Sequence, residues 1–211
     1  MIFQLSESEL WFPEPELAEE DGLLAIGGDL SAERLVFAYQ SGIFPWFSDD
    51  TPILWYAPHK RFVLLPDRLK VSKSMQKLLN TEKFKITFDT AFPEVIKACA
   101  SISREDQDGT WITSSMQLAY IELFRLGIAH SVEVWENDQL AGGLYGIHMN
   151  SVFCGESMFS KVSNASKAAL IWLCQNKTYK LIDCQVHTSH LESLGAGFIS
   201  MEEYLDFLNA D

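Results

Sequence analysis

Three consecutive stretches, HSVEVWEND, QLAGGLYGIHMN and SVFCGESMF, spanning residues 130–159, limit this chain more than any other feature. Each alternates in a way that suits a strand, and the turn signals Asn137-Asp138 and Asn150-Ser151 separate them. Turns this short join antiparallel neighbours, so the spacing predicts a meander of three adjacent strands. Asn164 then stands as N-cap of a helix whose Ala165, Ala168, Ala169, Trp172 and Leu173 form one apolar face. KLIDCQVHT, residues 180–188, reads as a further strand. A meander followed by a helix and another strand suits an α+β sheet with helices on its faces. This is the order of the acetyltransferase-type N-acyltransferases, an analogy of architecture that does not fix function.

The flanking sequence fills in the rest. Ser31 caps a helix with Leu35, Ala38 and Tyr39 inward, and Gly42 stops it. Residues 42–62, GIFPWFSDDTPILWYAPHKRF, carry too many breakers for a helix and read as loop and short strands. That stretch marks a boundary between a small mixed N-terminal lobe, residues 1–62, and a larger acetyltransferase-like lobe, residues 63–211. Ser72 caps a short helix with Met75, Leu78 and Leu79 inward, while Lys73 and Lys77, four apart, share its outer face. FKITF is a strand, and a helix starts near Ala91 with Pro93 in its first turn. Residues 110–127 read as a strand end and a helix with Met116, Ala119, Tyr120, Leu123 and Phe124 inward. Ser200 and Glu203 form a capping box before a last helix.

Composition excludes some classes. The 211 residues are 47% hydrophobic, enough for one large or two small domains. No run of about 18 apolar residues predicts a membrane span. The opening MIFQLSESELW lacks a basic n-region, which predicts no signal peptide. Cys99, Cys154, Cys174 and Cys184 are scattered without a CxxC pair and read as reduced thiols of a cytoplasmic protein. Net charge of −13 argues by itself against a nucleic-acid partner and favours a basic one. Residues 67–85 reverse that sign locally, with six Lys and Arg against Asp67 and Glu82. Such a patch either holds a phosphate backbone or is a solvated helix face.

Four places have chemistry in them. Strand alternation through LIDCQV puts Asp183 and Gln185 on one face and Ile182, Cys184 and Val186 on the core face. A carboxylate beside a carboxamide can take a proton and orient an amine, or the pair is an ordinary polar strand face. Glu156 sits among apolar neighbours, with Phe153, Met158 and Phe159 as walls. It is either the mouth of a pocket for a greasy ligand with a cationic head, or one half of a buried ion pair. FPWF, residues 44–47, is either a stacking platform for a base or a small core that pins a loop. Cys184, His187 and His190 have metal-like spacing, but no second cluster completes a tetrahedral set, so no metal is assigned. There is no GxxxxGK[ST], and QLAGGL is a poor match to a pyrophosphate loop, so neither a nucleotide cofactor nor CoA is expected.

Together, DGLLAIGGDLS, AYQSGIFPWFS, PILWYAP, DGTWIT, AHSVEVW, LAGGLYG, FCGESMFS, NASKAAL and LIDCQV run in order from residue 21 to residue 186 and resemble the bacterial leucyl/phenylalanyl-tRNA–protein transferases. The resemblance implies a cytoplasmic, monomeric enzyme that needs no cofactor or metal. It would move Leu or Phe, and less readily Met, from Leu-tRNA or Phe-tRNA to proteins with N-terminal Arg or Lys, marking them for N-end rule degradation. It also implies roles. Asp183 and Gln185 match the catalytic pair, and Trp46, with Phe44 nearby, matches the site that stacks the terminal adenosine. Phe153, Met158, Leu173 and Trp111 would border the donor side chain, Glu156 would meet the basic acceptor, and Lys73 and Lys77 would bind tRNA. Asn80 and Thr81 stand where the family has further cations, which predicts weaker, salt-sensitive tRNA binding.

Overall fold

The computed structural model describes residues 1–102 and 112–210. The chain runs β1 (Phe3–Leu5), β2 (Leu23–Gly27), α1 (Ala32–Gln40), β3 (Phe44–Pro45), β4 (Leu54–Tyr56), β5 (Lys60–Leu64), α2 (Lys73–Leu79), β6 (Lys85–Phe88), α3 (Phe92–Ser101) and α4 (Ser114–Arg125). It continues β7 (Ala129–Glu136), β8 (Gln139–Met149), β9 (Val152–Ser160), α5 (Ala165–Asn176), β10 (Leu181–Asp183), α6 (Ser189–Ser193), β11 (Gly197–Ser200) and α7 (Met201–Asn209). The fold is α+β. Among the described residues, a small sheet has the order β1-β2-β4-β3 and a larger one the order β11-β5-β10-β9-β8-β7-β6.

The predicted meander is present as β7-β8-β9, with antiparallel pairing throughout. Asn137 and Asp138 both take positive φ, as a two-residue turn matched to strand twist requires. The larger sheet is antiparallel except where β10 runs parallel to β9, with Leu181, Ile182 and Asp183 opposite Val152, Phe153 and Cys154. β5 crosses position 62/63 and lies in the larger sheet from its first residue, paired with both β10 and β11.

Helix starts follow sequence chemistry where a side chain can reach back. Ser31, Ser72 and Thr113 accept from Arg34, Met75 and Met116 backbone N–H groups at 3.2–3.3 Å. Ser200 and Glu203 form the reciprocal capping box of α7. Asn164 differs from expectation. It takes φ +70° at the start of α5, and the Ser160 hydroxyl instead accepts from the Ser166 N–H at 3.3 Å. The left-handed backbone turns the Asn side chain away from the first turn that spacing assigns it to cap.

α3 begins on a carboxylate that alternation does not single out. Glu133 on β7 is fully buried, and its oxygens accept from Thr87 Oγ1 at 2.6 Å, Thr90 Oγ1 at 2.9 Å, Ser131 Oγ at 2.5 Å and the Ala91 N–H at 3.4 Å. A negative charge there complements the positive end of the helix.

The larger sheet separates two apolar layers. One holds Leu24, Trp55, Phe92, Tyr120, Tyr145, Val152 and Tyr204 and is continuous with the small sheet. The other holds Phe62, Val132, Leu144, Phe153, Leu170 and Ile182, under α2, α5 and α6. Tyr204 of α7 and Tyr39 of α1 therefore lie in one layer with the centre of the larger sheet.

Candidate active site

The site arises where two paired strands part. β9 and β10 run together as far as Cys154 and Asp183, after which β9 continues and β10 ends. The end is built locally. Asp183 Oδ1 accepts from the Gln185 N–H at 2.9 Å, and Gln185 takes φ +58°. Such a side-chain bond offers the backbone an alternative to the ladder. The expectation of one strand through residues 180–188, with alternating faces, is thus corrected. Val186, expected on the core face, is 51% exposed, and Asp183 is fully buried.

β9 carries the second irregularity. Gly155 pairs with Gly146 and Ser157 with Tyr145, which leaves Glu156 as the extra residue of a β-bulge. A bulge re-aims the side chain it carries. Here it turns Glu156 inward to 6% exposure, with Oε2 accepting from Tyr120 Oη at 3.1 Å and Oε1 from Gln185 Nε2 at 2.7 Å. The Tyr120 hydroxyl also bonds that of Tyr39. Gly155 lets the two strands approach closely, since a Cβ there would stand a tight 3.1 Å from the Asp183 carbonyl oxygen.

The two carboxylates have opposite surroundings. Asp183 forms a buried ion pair with Arg61 and accepts from Tyr204 Oη at 3.0 Å. Arg61 also donates to the Gly42 carbonyl at 3.2 Å and lies over the rings of Phe44 and Tyr204 at 4.9 and 4.4 Å. Burial works against the guanidinium charge, but Asp183 and Tyr204 hold its pKa above the ordinary value. Glu156 forms no ion pair among the described residues and is held by hydroxyl and amide donors. Burial pushes its pKa up to about 7; the tyrosine and Gln185 hydrogen bonds pull it down, and the nearby Asp183 charge adds to the rise. Among the described residues, no cation pairs with Glu156.

A cavity of about 540 Å³ opens in the divergence of the two strands. Its walls include Phe153, Met158, Leu170, Leu173 and Ile182, with Glu156, Asp183 and Gln185 at the polar end and Phe44, Pro45 and Trp46 along one side. The volume is that of a small-molecule site with few convergent polar groups. The predicted residues Glu156, Asp183, Gln185, Phe44, Trp46, Phe153, Met158 and Leu173 are thus brought to one place. FPWF divides between its two readings, with Phe44 buried against Tyr56 and Arg61 and Trp46 left 36% exposed at the rim. Lys73 and Lys77 are exposed on α2 and do not line the cavity. Trp111 lies outside the described residues.

Residues that sequence reasoning does not single out also belong here. Arg61 is one cation among several in HKRF, and nothing local ties it to an Asp 122 positions away. Tyr39 and Tyr120 read from spacing as core, which they are, but spacing says nothing of their hydroxyls. A Tyr buried on a helix face needs a partner for its hydroxyl, and that is the signal the sequence offers.

The site is thus an apolar cavity in a splayed α+β sheet, with a carboxylate and a carboxamide hydrogen-bonded at its polar end. The model of the leucyl/phenylalanyl-tRNA protein transferase matches residues 63–209, and that of its N-terminal domain matches residues 28–59. Leucyl/phenylalanyl-tRNA–protein transferases of similar sequence include that of Flavobacterium johnsoniae, 57% identical over 96% of this chain and 97% of the relative. Those of Pseudomonas fluorescens and Syntrophobacter fumaroxidans are 53% and 52% identical, covering 99% and 98% of this chain and 94% and 89% of theirs. A GCN5-related N-acetyltransferase from Kribbella flavida is a distant structural neighbour, with TM-score 0.37 and 8% identity over 75% of this chain and 57% of that one. The chain belongs to the leucyl/phenylalanyl-tRNA–protein transferase family and is an aminoacyltransferase.

Proposed function

We propose that the cavity takes the Leu or Phe side chain of Leu-tRNA or Phe-tRNA, and Met less readily, and that its polar end presents the ester to the α-amine of a protein beginning with Arg or Lys. The carrying observation is Glu156, a buried carboxylate at the mouth of an apolar cavity with neutral donors around it. An ammonium brought by the acceptor is the cation it lacks. Gln185 donates its amide hydrogen to Glu156, which leaves Gln185 Oε1 to accept from the same amine.

The donor ester is already activated, so positioning carries much of the acceleration. The amine nitrogen attacks the ester carbonyl, a C–N bond forms, and the C–O bond to the ribose breaks. Before the attack the ammonium gives one proton to Glu156, whose pKa near 7 suits a group that must take and release it, and this frees the nitrogen lone pair. The second proton shed by the nitrogen passes to the departing ribose oxygen, which leaves as a hydroxyl, and Glu156 releases its own to solvent. Asp183 acts as a positioning residue. Its Arg61 pair and its bond to the Gln185 N–H hold the turn that aims the amide.

Trp46, half-open at the rim, would stack the terminal adenine, while Lys73 and Lys77 on α2 would meet backbone phosphates. The product would be a protein marked for degradation by its new N-terminus. On this reading the chain works as a cytoplasmic monomer, with residues 1–62 supplying the adenosine side of the cavity and residues 63–211 the catalytic side. Among the described residues no helix is long and apolar enough to cross a membrane.

The test is purified protein with labelled Leu-tRNA and a peptide beginning with Arg. Label should move to that peptide, and far less to one beginning with Asp. Absence of transfer combined with tight CoA binding would favour an acetyltransferase using a small acyl donor. Peptide binding without turnover would favour a binding module.

A further inference from the structure

NASKAAL, residues 164–170, has so far no part in the site beyond Leu170. In α5 its polar members fall on the same stripe as the cavity wall, since Asn164, Lys167, Leu170 and Leu173 succeed one another at intervals of three. Leu170 and Leu173 line the cavity described above. Asn164 and Lys167 line a second depression of about 410 Å³, together with Lys70, Ser72, Ser74 and Ser193. α6 repeats the division, with His190 and Leu191 on the cavity and Ser193 on the second depression. The two hollows therefore adjoin along α5, the second bounded by α2, the start of α5 and the end of α6. Residues 167 and 170 are about 4.5 Å apart along the helix axis, so less than one turn separates them.

The charge of this second cleft is opposite to that of the molecule. It is lined by two lysines and no carboxylate, in a chain of net −13. Neither lysine takes part in an ion pair among the described residues. Lys70 is fixed by its own backbone, whose N–H donates to the Leu194 carbonyl at 2.8 Å. The charge of Lys167 reaches the cavity side of α6, where burial and that charge together lower the pKa of His190.

We propose that this cleft binds a phosphodiester of the single-stranded 3′ end of the donor tRNA, through Lys70 and Lys167, while the terminal aminoacyl-adenosine occupies the adjoining cavity. The inference rests on the reading of the cavity as the aminoacyl site. Two lysines and three serines in one lining suit a phosphate, and α5 carries that lining within a turn of the cavity wall. These contacts would differ from those of Lys73 and Lys77, which face solvent on α2. Lys70 is exposed like them but shares its cleft with the half-buried Lys167, and two cations on one phosphate would fix the register of the 3′ end.

The experiment compares two donors in transfer to an Arg-initiated peptide. One is full-length Leu-tRNA; the other is leucyl-adenosine, which has no upstream phosphate. Lys70→Met and Lys167→Met keep most of each apolar stem, so packing is retained. The double variant should raise KM for Leu-tRNA on the order of tenfold and lower the salt slope of its binding by about 0.7 for each phosphate no longer held. KM and kcat for leucyl-adenosine should stay at wild-type values, which also shows that the variant is folded. Equal loss with both donors, or no loss with either, overturns the assignment of the cleft. Failure of the wild-type protein to transfer leucine from either donor overturns the cavity reading, and the cleft's role with it.

Discussion

Glu156→Gln separates the charge of the buried carboxylate from its shape. In the folded protein the Glu156 pKa is raised to about 7 from an ordinary 4.5, chiefly by burial. Between those values the folded state binds a proton that the unfolded state has released. Stability conferred by the protonated carboxyl is thus full below pH 4.5 and is lost as pH rises through 7. The gap corresponds to about 3 kcal/mol. The amide of Gln occupies the same space beside Tyr120 and Gln185 and does not titrate. Urea unfolding of both proteins from pH 5 to pH 8 should show similar stability at the acid end. Toward pH 8 the wild type should fall behind the variant by an amount approaching 3 kcal/mol. The comparison cancels the other titrating groups, so the difference isolates this one. If the two stabilities run parallel across the range, Glu156 is not buried without a cation and its role toward the acceptor fails. Transfer should follow the opposite logic, with the more stable variant losing activity because it can neither pair with the ammonium nor take its proton.

Other expectations follow from the same geometry. Asp183→Asn leaves Arg61 buried without its counter-charge and should cost about 3–5 kcal/mol in urea unfolding. A loss below about 1 kcal/mol would show that the pair does not hold the turn. Trp46→Ala, at a position 36% exposed, should change stability little and weaken Leu-tRNA binding by about 1–3 kcal/mol of stacking. An unchanged KM for the tRNA would remove Trp46 from the adenosine site. Lys73→Ala with Lys77→Ala should lower the salt slope of tRNA binding by about two, and an unchanged slope would clear α2 of phosphate contacts.

The meander is readable because residues of opposite character alternate and Asn-containing turns mark its ends. The buried faces of α1, α4 and α7 are readable from spacing alone. The site is readable in membership but not in construction. Alternation places Asp183 and Gln185 side by side, whereas they meet through a turn in which one holds the backbone of the other. Periodicity assumes an unbroken ladder, and both site strands break theirs, β10 at Gln185 and β9 at the Glu156 bulge. The Arg61–Asp183 pair depends on β5 lying beside β10, and pairing between strands so far apart leaves no local trace. β11 and α6, four and five residues long, are not singled out by the sequence pattern.

That ion pair also bears on the order in which the chain can fold as it leaves the ribosome. Arg61 emerges with the early strands, but its carboxylate follows 122 residues later, and Tyr204, over which it lies, comes later still. An arginine sealed in an apolar layer without its counter-charge is a costly intermediate. The chain around Arg61 therefore has reason to stay open until nearly all of it is available. A nascent chain stalled before residue 183 should be digested by protease near β5, and one released after α7 should resist. The residue that locks the catalytic turn would then also serve as a timer, delaying closure of the first-made part until the last-made part arrives.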